Sequence, residues 1–434
     1  MLDNAFACAF INLCGSAILI GYFKHINAGD VGLGLIVAIP SLMGLMQIPG
    51  AVIGRRSNGY KNFVACFGII WRMLHIIVLI IACNPNWGSA RMSMMVFIVG
   101  LASAVVQVSD PIYQDWIAEI VPETSRGAFY AKRASICGAA SALAGLIGGA
   151  IVDGFTNRGL SDRGFQVCFA LGLVCALISF LFYIKVPDKI RANPERENIR
   201  HAIETIKRPY RDMNFRKVLV FLFAFVFGQM FMGGLLVAYC LEVLKMPFTV
   251  MQALGLLQAA TAVLIAPWWG QMCDRFGNKA VLAVLCVGIA LSPLGWFFTR
   301  PDQLLFNTII MAPSHIFSGI AWAGVGMAQF NLILRTSTAE HRANYLAAGQ
   351  SLMALTAALS PFLSSILMQN LRNAVPVATA YLTVLATCMG LRLLSALFLK
   401  PVHEHGATPL RAAVKEMGLS APLPFVRRTT TNDE

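Results

Sequence analysis

The chain has 434 residues, of which 57% are hydrophobic and 13% are charged, and its net charge is +13. Soluble domains carry roughly 25% charged residues, so this composition excludes a predominantly water-soluble fold. The apolar residues fall in blocks of roughly 20, a length that crosses a bilayer as a helix. No basic stripe is interleaved with aromatic residues, and the positive charge has a membrane explanation. We therefore expect a membrane protein that binds no nucleic acid and lacks a soluble catalytic domain.

Twelve apolar blocks are expected to cross the membrane as α-helices. Helices are predicted because a spanning backbone must satisfy its own hydrogen bonds, and the blocks lack the alternating pattern of barrel strands. Their predicted ranges are 4–23, 32–53, 62–83, 92–118, 133–153, 165–186, 217–241, 250–272, 279–298, 303–333, 345–368 and 376–399. The sequence thus predicts an all-α membrane protein with twelve transmembrane helices.

The basic residues indicate how the chain crosses the membrane. One predicted side holds 25 of the 34 Lys and Arg residues, the other holds 7, and Arg72 and Arg392 lie inside spans. Such an excess marks the cytoplasmic side, and an even number of spans returns the chain to the side where it began. We therefore expect both termini in the cytoplasm and a multi-pass protein of the plasma membrane. A bacterial inner membrane is favoured, and a eukaryotic membrane is the alternative.

One long connection divides six predicted spans from six. The predicted units are an N-terminal six-helix bundle (1–186), a cytoplasmic linker (187–216), a C-terminal six-helix bundle (217–400) and a cytoplasmic tail (401–434). In the linker, Asn193 can cap an amphipathic helix that has Pro194 in its first turn. We expect this helix to lie on the lipid surface, the alternative being a solvated basic linker. A second such helix is expected at 408–418.

The two halves carry a weak internal repeat. At a shift of 216 residues, Arg126 aligns with Arg342 in the connections after the fourth and tenth spans, and three neighbouring positions also match. At a shift of 220, the connection that begins at Gly50 corresponds to the one that begins at Gly270. Matches at corresponding loops indicate two duplicated six-helix halves, a known arrangement of transporters.

The connection after the eighth span contains spaced glycines and charges. They are Gly270, Asp274, Arg275, Gly277 and Lys279. This run resembles the signature loop of the major facilitator superfamily, and the resemblance covers about residues 4–400. It implies two pseudo-symmetric six-helix bundles that open a central cavity alternately to either side. In that family the loop locks the outward-facing state and does not touch substrate.

The first half departs from this loop pattern, because Gly54 stands where the acid belongs. We expect one of its two arginines to pair instead with Asp115, near the end of the fourth span. The resemblance implies a gating role for the loop residues of both halves. They are Gly50, Arg55, Arg56, Asp115, Arg126, Gly270, Asp274, Arg275, Gly277, Lys279 and Arg342.

The fifth span contains a run that resembles the antiporter motif of the family. Ala144 and Gly145 replace the glycine and proline of that motif, which weakens the case for exchange. Small residues at helical spacing, from Gly138 to Gly149, favour close helix packing instead.

Charged groups inside the spans need a partner or a hydrated cavity. Arg72 in the third span and Asp110 in the fourth lie at a similar depth, about 13 to 15 Å, and are predicted to form an ion pair. This pair is interpreted as structural, with a coupling role as the alternative. His75 shares a helix face with Arg72, and a core histidine is its plainer interpretation. Together with His315, these residues are the candidates for proton coupling.

In the family, the first, fourth, seventh and tenth helices are the main lining of the cavity. At mid-depth they supply amides, one acid and aromatic surface, and two glutamines from the eighth and eleventh spans are added. This mixed set suits a polar solute, although each residue alone can equally serve in an interhelical hydrogen bond. The candidate cavity residues are Asn12, Gln107, Asp110, Gln229, Gln258, His315, Trp322 and Gln350.

The favoured function is secondary transport of a small polar solute by alternating access, with proton coupling preferred over uniport. No phosphate-binding loop points to a nucleotide, and neither a metal nor another cofactor is expected. The protein is expected to be a monomer and not an enzyme. The alternatives are a transporter-like membrane sensor and a membrane-embedded enzyme that modifies lipid, although no HExxH motif or nucleophile spacing supports the latter.

Overall fold

The computed structural model describes residues 1–54, 57, 59–88, 90–122, 126–187, 208–337, 342–404, 407, 408, 412, 413 and 416. Within these residues the regular secondary structure is helical, and twelve helices are long and apolar enough to cross a membrane, as predicted. They are α1 (Leu2–His25), α2 (Asp30–Gly54), α3 (Tyr60–Cys83), α4 (Ala90–Ile120), α5 (Arg126–Thr156), α6 (Ser161–Ile184), α7 (Met213–Glu242), α8 (Phe248–Phe276), α9 (Asn278–Phe298), α10 (Leu304–Thr336), α11 (Arg342–Arg372) and α12 (Val377–Leu399).

The start of α7 differs from the predicted one. The helix begins at Met213, not at 217, because Asp212 caps it by accepting hydrogen bonds from the backbone N–H groups of Asn214 and Phe215. The predicted linker helix falls on residues 188–207, which lie outside the described residues, and most of the predicted tail helix does so as well.

The first helix of each half is broken near its middle. α1 consists of Leu2–Cys14 and Ser16–His25, separated by Gly15 in an extended conformation. α7 consists of Met213–Met230 and Leu235–Glu242. The shift of 216 residues found in the sequence repeat places Gly15 on the first residue after Met230. The two breaks therefore occupy equivalent places in the two halves.

The buried apolar residues show where the halves meet. We call the side where α1 begins and α12 ends the terminal face, and the other side the opposite face. The largest apolar cluster joins residues of both halves near the opposite face, including Tyr22 and Phe169 of the first half and Tyr239 and Tyr381 of the second. Nearer the terminal face, separate clusters belong to the first half, around Trp116, and to the second half. The halves thus pack together at the opposite face and separate toward the terminal face.

The contact between α5 and α8 depends on small residues. A Cβ added to Gly149 would lie 2.9 Å from the backbone nitrogen of Thr249, and one added to Gly145 would lie 3.1 Å from the Gln252 amide. Glycine therefore allows the two helices to approach closely. Gly138 differs, because an added Cβ there meets no described atom within 4 Å. The packing interpretation thus holds for the later part of the run.

Candidate functional site

A central cavity of about 700 Å³ lies between the two halves and is bounded by α2, α4, α7, α10 and α11. It extends to the terminal face, because Tyr210, which precedes α7, and Asn344, in the first turn of α11, belong to its lining. At the opposite face the halves are in contact. The structure is therefore open toward the terminal face.

Five glutamines are the main polar residues of the central cavity. They are Gln47, Gln107, Gln229, Gln329 and Gln350. Gln47 Nε2 donates to Gln107 Oε1 at 2.8 Å, whereas the side chains of Gln229 and Gln350 have no hydrogen-bond partner among the described residues. No Asp, Glu, Lys, Arg or His belongs to the described lining. Amides both donate and accept, so this cavity suits an uncharged polar solute.

The cavity brings together only part of the candidate set derived from the sequence. Gln107, Gln229 and Gln350 line it, whereas Asn12 donates to the carbonyl of Cys8 in its own helix. Sequence reasoning missed two lining glutamines, on α2 and α10. Gln47 lies on α2, which is not one of the four helices that the family resemblance gives as the main lining. Gln329 lies on α10, nearer the terminal face than mid-depth.

A second cavity, the C-half cavity, contains the other candidates of the second half. It measures about 160 Å³ and lies among α7, α8, α9, α10 and α12. Gln258, His315 and Trp322 line it, together with the buried Arg392. His315 Nδ1 lies 2.9 Å from the carbonyl oxygen of Met311. Because that oxygen can only accept, Nδ1 carries the proton and Nε2 is the free nitrogen of the ring.

A third cavity, the N-half cavity, lies among α1, α3, α4 and α6 and measures about 180 Å³. Asp110 and Arg72 both line it, yet they form no ion pair. The predicted pair is absent because the guanidinium turns toward α6. Its Nε donates to the Ala176 carbonyl at 2.8 Å and its Nη2 to Ser179 Oγ at 3.3 Å, and Nη1 bonds within α3. Asp110 instead accepts from Gln114 at 3.4 Å.

His75 lies in the apolar packing of the first half and lines none of the three cavities. Its Nδ1 is 2.9 Å from the carbonyl oxygen of Trp71, and its ring packs edge to face with Phe10. This environment is that of a core histidine.

The predicted gating residues are distributed over the terminal face. Asp274 and Arg342 line one shallow pocket together with Arg335, and Gly50 packs so closely on α4 that an added Cβ would overlap Val108. Asp115 lies on α4 and Arg126 is the first residue of α5. Arg55 and Arg56 lie outside the described residues, so their proposed contact with Asp115 is not described.

The loop between α8 and α9 is held by the segment that follows α12. The Glu404 carboxylate accepts hydrogen bonds from the backbone N–H groups of Asn278 and Lys279, at 3.1 and 2.7 Å, and thereby caps α9. Lys279 Nζ donates back to the carbonyls of Lys400 and Val402. Arg275, in the last turn of α8, pairs with a carboxylate of the tail, Glu416, at 3.3 Å.

Gly277 and Gly270 serve this loop in different ways. Gly277 joins α8 to α9 with a φ of +87°, a conformation that L side chains rarely adopt, and Ala407 lies against it. Gly270 has only the side chain of Met327 near the position of a Cβ. Gly277 is thus required by the backbone conformation, whereas Gly270 leaves space for the flexible side chain of Met327.

An ion-pair network joins the two halves at the opposite face. Arg372 of α11 donates to both carboxylate oxygens of Glu242 on α7, at 2.9 and 2.6 Å. Lys24 of α1 reaches the same carboxylate at 2.7 Å, and Asp30 of α2 lies 2.5 Å from Arg372 Nε. Tyr381 donates to Glu242 as well. This network was not predicted, because its members are neighbours only after both halves have folded.

A second polar contact crosses the halves at the start of α8. The Asp153 carboxylate, on α5, accepts from the backbone N–H groups of Phe248 and Thr249 at 2.9 and 2.8 Å. It also accepts from the Thr249 hydroxyl at 2.6 Å. An acid of one half thus caps a helix of the other, where the helix dipole favours negative charge. Among the described residues, no group of His, Cys, Asp and Glu is arranged to hold a metal ion.

The sequence profile of the Major Facilitator Superfamily matches residues 5–361. No curated protein sequence matches the chain. Among solved structures, the inward open conformation of the xylose transporter XylE from E. coli superposes with a TM-score of 0.66 at 19% identity, covering 95% of this chain and 98% of that one.

Two further structures show the same fold. The nucleoside transporter NupG, as its D323A mutant, has a TM-score of 0.65 at 13% identity and covers 93% of this chain and 100% of its own. A POT family transporter in complex with 5-aminolevulinic acid has a TM-score of 0.62 at 14% identity, covering 93% and 95%. The twelve helices, the duplicated halves and the profile match over most of the length lead to one conclusion. The chain is a multi-pass membrane protein that belongs to the Major Facilitator Superfamily.

Proposed function

We propose that the protein is a secondary transporter that moves a small, uncharged polar solute by alternating access. The observation that carries the proposal is the glutamine-lined central cavity, which is open at the terminal face and closed at the opposite face by contacts between the halves. Solutes that carry several hydroxyl or amide groups satisfy the amides best, because each amide offers a donor and an acceptor. Sugars, polyols and nucleosides are of this class.

The terminal face is proposed to be cytoplasmic, because it carries most of the Lys and Arg residues. The membrane is then proposed to be a bacterial inner membrane, with the structure in an inward-open state. The two bundles are proposed as the moving units, with the second bundle beginning at Met213. In this state the chain resembles the inward open XylE structure.

Proton coupling is proposed to depend on Asp110. The described lining of the central cavity contains no titratable acid or histidine. Asp110 lines the N-half cavity, whereas its neighbour Pro111 lines the central one. A proton on Asp110 is therefore close to the solute site without touching the solute. His315 lines the C-half cavity instead.

Solute uptake into proteoliposomes tests the proposal. A panel of sugars, polyols, nucleosides and zwitterions is measured with and without a pH gradient, in the wild type and in Gln229→Leu/Gln350→Leu. We expect the wild type to take up one class of neutral solute. This uptake should be lost in the double variant and kept in Gln303→Leu, a control at an exposed residue. If the pH gradient stimulates uptake in the wild type and this stimulation disappears in Asp110→Asn, proton coupling is supported. Tight solute binding without flux favours the sensor alternative, and turnover of lipid without solute flux favours the enzyme.

A further inference from the structure

The C-half cavity contains a buried guanidinium that has no counter-ion. Arg392 is 9% exposed and forms no ion pair with any carboxylate in the described part of the chain. Its Nε, Nη1 and Nη2 donate to the carbonyls of Gly228, Ile289 and Gln229 at 3.3, 3.0 and 3.3 Å. A guanidinium has five N–H groups, so one on each Nη is left without a protein acceptor among these residues.

The three carbonyls explain where the guanidinium sits. Gly228 and Gln229 come just before the break in α7, and Ile289 comes four residues before Pro293, which has no N–H group to complete the helical bond. Arg392 therefore supplies donors at two distorted helices. Carbonyls are dipoles and satisfy hydrogen bonds, but they carry no unit charge, so a buried cation among them still attracts an anion.

The rest of the cavity wall is rich in donors. Gln258, Ser314, Ser318, Trp296 and Trp322 line it, and the side chain of each has no hydrogen-bond partner among the described residues. No carboxylate belongs to the described lining. The cavity volume of about 160 Å³ leaves room for a small ion and a few waters, since each water occupies about 30 Å³. One fixed positive charge and several neutral donors thus enclose a space of ionic size.

We propose that the C-half cavity binds one small monovalent anion, either a halide such as chloride or a small carboxylate such as formate. Arg392 supplies the charge, and the amide, hydroxyl and indole groups supply neutral donors. The site is separate from the solute cavity, because the described linings of the two cavities share no residue: Met230, just before the break in α7, lines the central cavity, and Met232, within the break, lines the C-half cavity. Anion binding does not require that the protein be a transporter.

The N-half cavity provides a matched comparison. It also contains a guanidinium inside a span, that of Arg72, but the carboxylates of Asp3 and Asp110 line the same space. Because two carboxyl groups already line this space, the N-half cavity is not expected to hold an anion. Arg72→Gln therefore removes a guanidinium from a similar setting without touching the proposed site.

Equilibrium binding of ³⁶Cl⁻ to the purified full-length protein tests the proposal. Ionic strength is kept constant with gluconate, an anion much larger than chloride or formate. We expect saturable binding of one chloride per chain, weakened at least about tenfold in Arg392→Gln, as for loss of a charge-assisted hydrogen bond. Arg72→Gln is expected to bind as the wild type does. Gln258→Leu and Ser318→Ala leave the carbonyl contacts of Arg392 intact and test the site if Arg392→Gln does not fold.

Competition between anions shows whether the site prefers a halide or a small carboxylate. Displacement of ³⁶Cl⁻ by formate at lower concentration than by unlabelled chloride indicates a carboxylate site, and the reverse order indicates a halide site. Absence of saturable binding overturns the proposal, as does binding of unchanged affinity in folded Arg392→Gln or in both Gln258→Leu and Ser318→Ala. None of these results depends on solute uptake.

Discussion

Lys24 of the first half and Glu242 of the second half meet at the opposite face, with Lys24 Nζ 2.7 Å from Glu242 Oε2. Arg372 binds the same carboxylate and lies beside Asp30 of the first half. Each half thus contributes one acid and one base, so the four charges cancel. A neutral network of this kind stabilises contact between the halves at the opposite face while the terminal face is open.

Removing the charge of Glu242 is expected to loosen this contact. Glu242→Gln weakens the links to Lys24 and Arg372, and since these side chains are partly exposed, the effect is on the order of 1 kcal/mol, roughly a fivefold shift in population. Double electron–electron resonance between spin labels at Asn86 and Ala374, on opposite-face loops of the two halves, measures the shift as an increased population at longer distances.

Asp302→Asn is the matched control, because Asp302 is an exposed acid on the same face. It should leave the distance distribution as in the wild type. An unchanged distribution in Glu242→Gln, or an equal shift in the control, contradicts a role of this ion-pair network in holding the halves together at the opposite face.

Asp153 is expected to stabilise the protein through α8. Asp153→Ala removes three acceptor contacts at the helix start and is expected to cost about 1 kcal/mol, the usual loss for such a cap. Asp153→Asn keeps one acceptor oxygen and should recover part of this loss. Thermal unfolding of the three proteins in the same detergent gives the order, and equal stability of Asp153→Ala and the wild type contradicts the capping role.

Arg72 and Asp110 are expected to act independently on stability. The structure gives each its own partners, so the effects of Arg72→Met and Asp110→Asn should add to within about 0.5 kcal/mol in the double variant. Denaturant unfolding of the single and double variants measures the coupling. If the double variant is markedly more stable than the sum of the two single effects predicts, the two residues interact, and the ion pair predicted from the sequence is supported.

Glu404 is expected to order the start of α9. Its side chain is only 7% exposed and accepts from two backbone N–H groups there, so Glu404→Ala should cost about 1 to 2 kcal/mol locally. Hydrogen exchange of peptides that cover Asn278 and Lys279 should become faster, with a smaller change in Glu404→Gln. Unaltered exchange in Glu404→Ala would show that the tail segment does not hold this loop.

Hydrophobic pattern and charge were sufficient to predict the spans. Each block is long enough to require a helix in lipid, so its position follows from composition alone, and errors arose only at ends such as Met213, where a capping side chain decides the boundary. The signature loop around Asp274 was likewise visible, because its residues are close in sequence.

Contacts between distant spans were less predictable. Asp110 and Arg72 do lie in one cavity, as their depths indicated, but the direction of a guanidinium depends on α6, which the depth calculation ignores. Candidate residues chosen at one depth line three different cavities, and Asn12 lines none of them, since depth does not specify which side of a helix a residue occupies. Gln47 was missed because α2 is not among the four helices that the family resemblance gives as the main lining of the cavity.

Alternating access is tested most directly by cysteine labelling of the central cavity while the contact between Lys24 and Glu242 at the opposite face, which we call the gate, is either free or replaced by a cross-link. Gln229→Cys is combined with Lys24→Cys/Glu242→Cys, in proteoliposomes treated with a membrane-impermeant reagent from either side. When the two introduced thiols of the gate are reduced, we expect labelling at position 229 from both faces. Addition of solute is expected to change the ratio of labelling from the two faces. After oxidation of the gate pair, labelling should continue from the terminal face only. Labelling from the opposite face that is unaffected by the cross-link, or that never occurs in the reduced protein, contradicts the account.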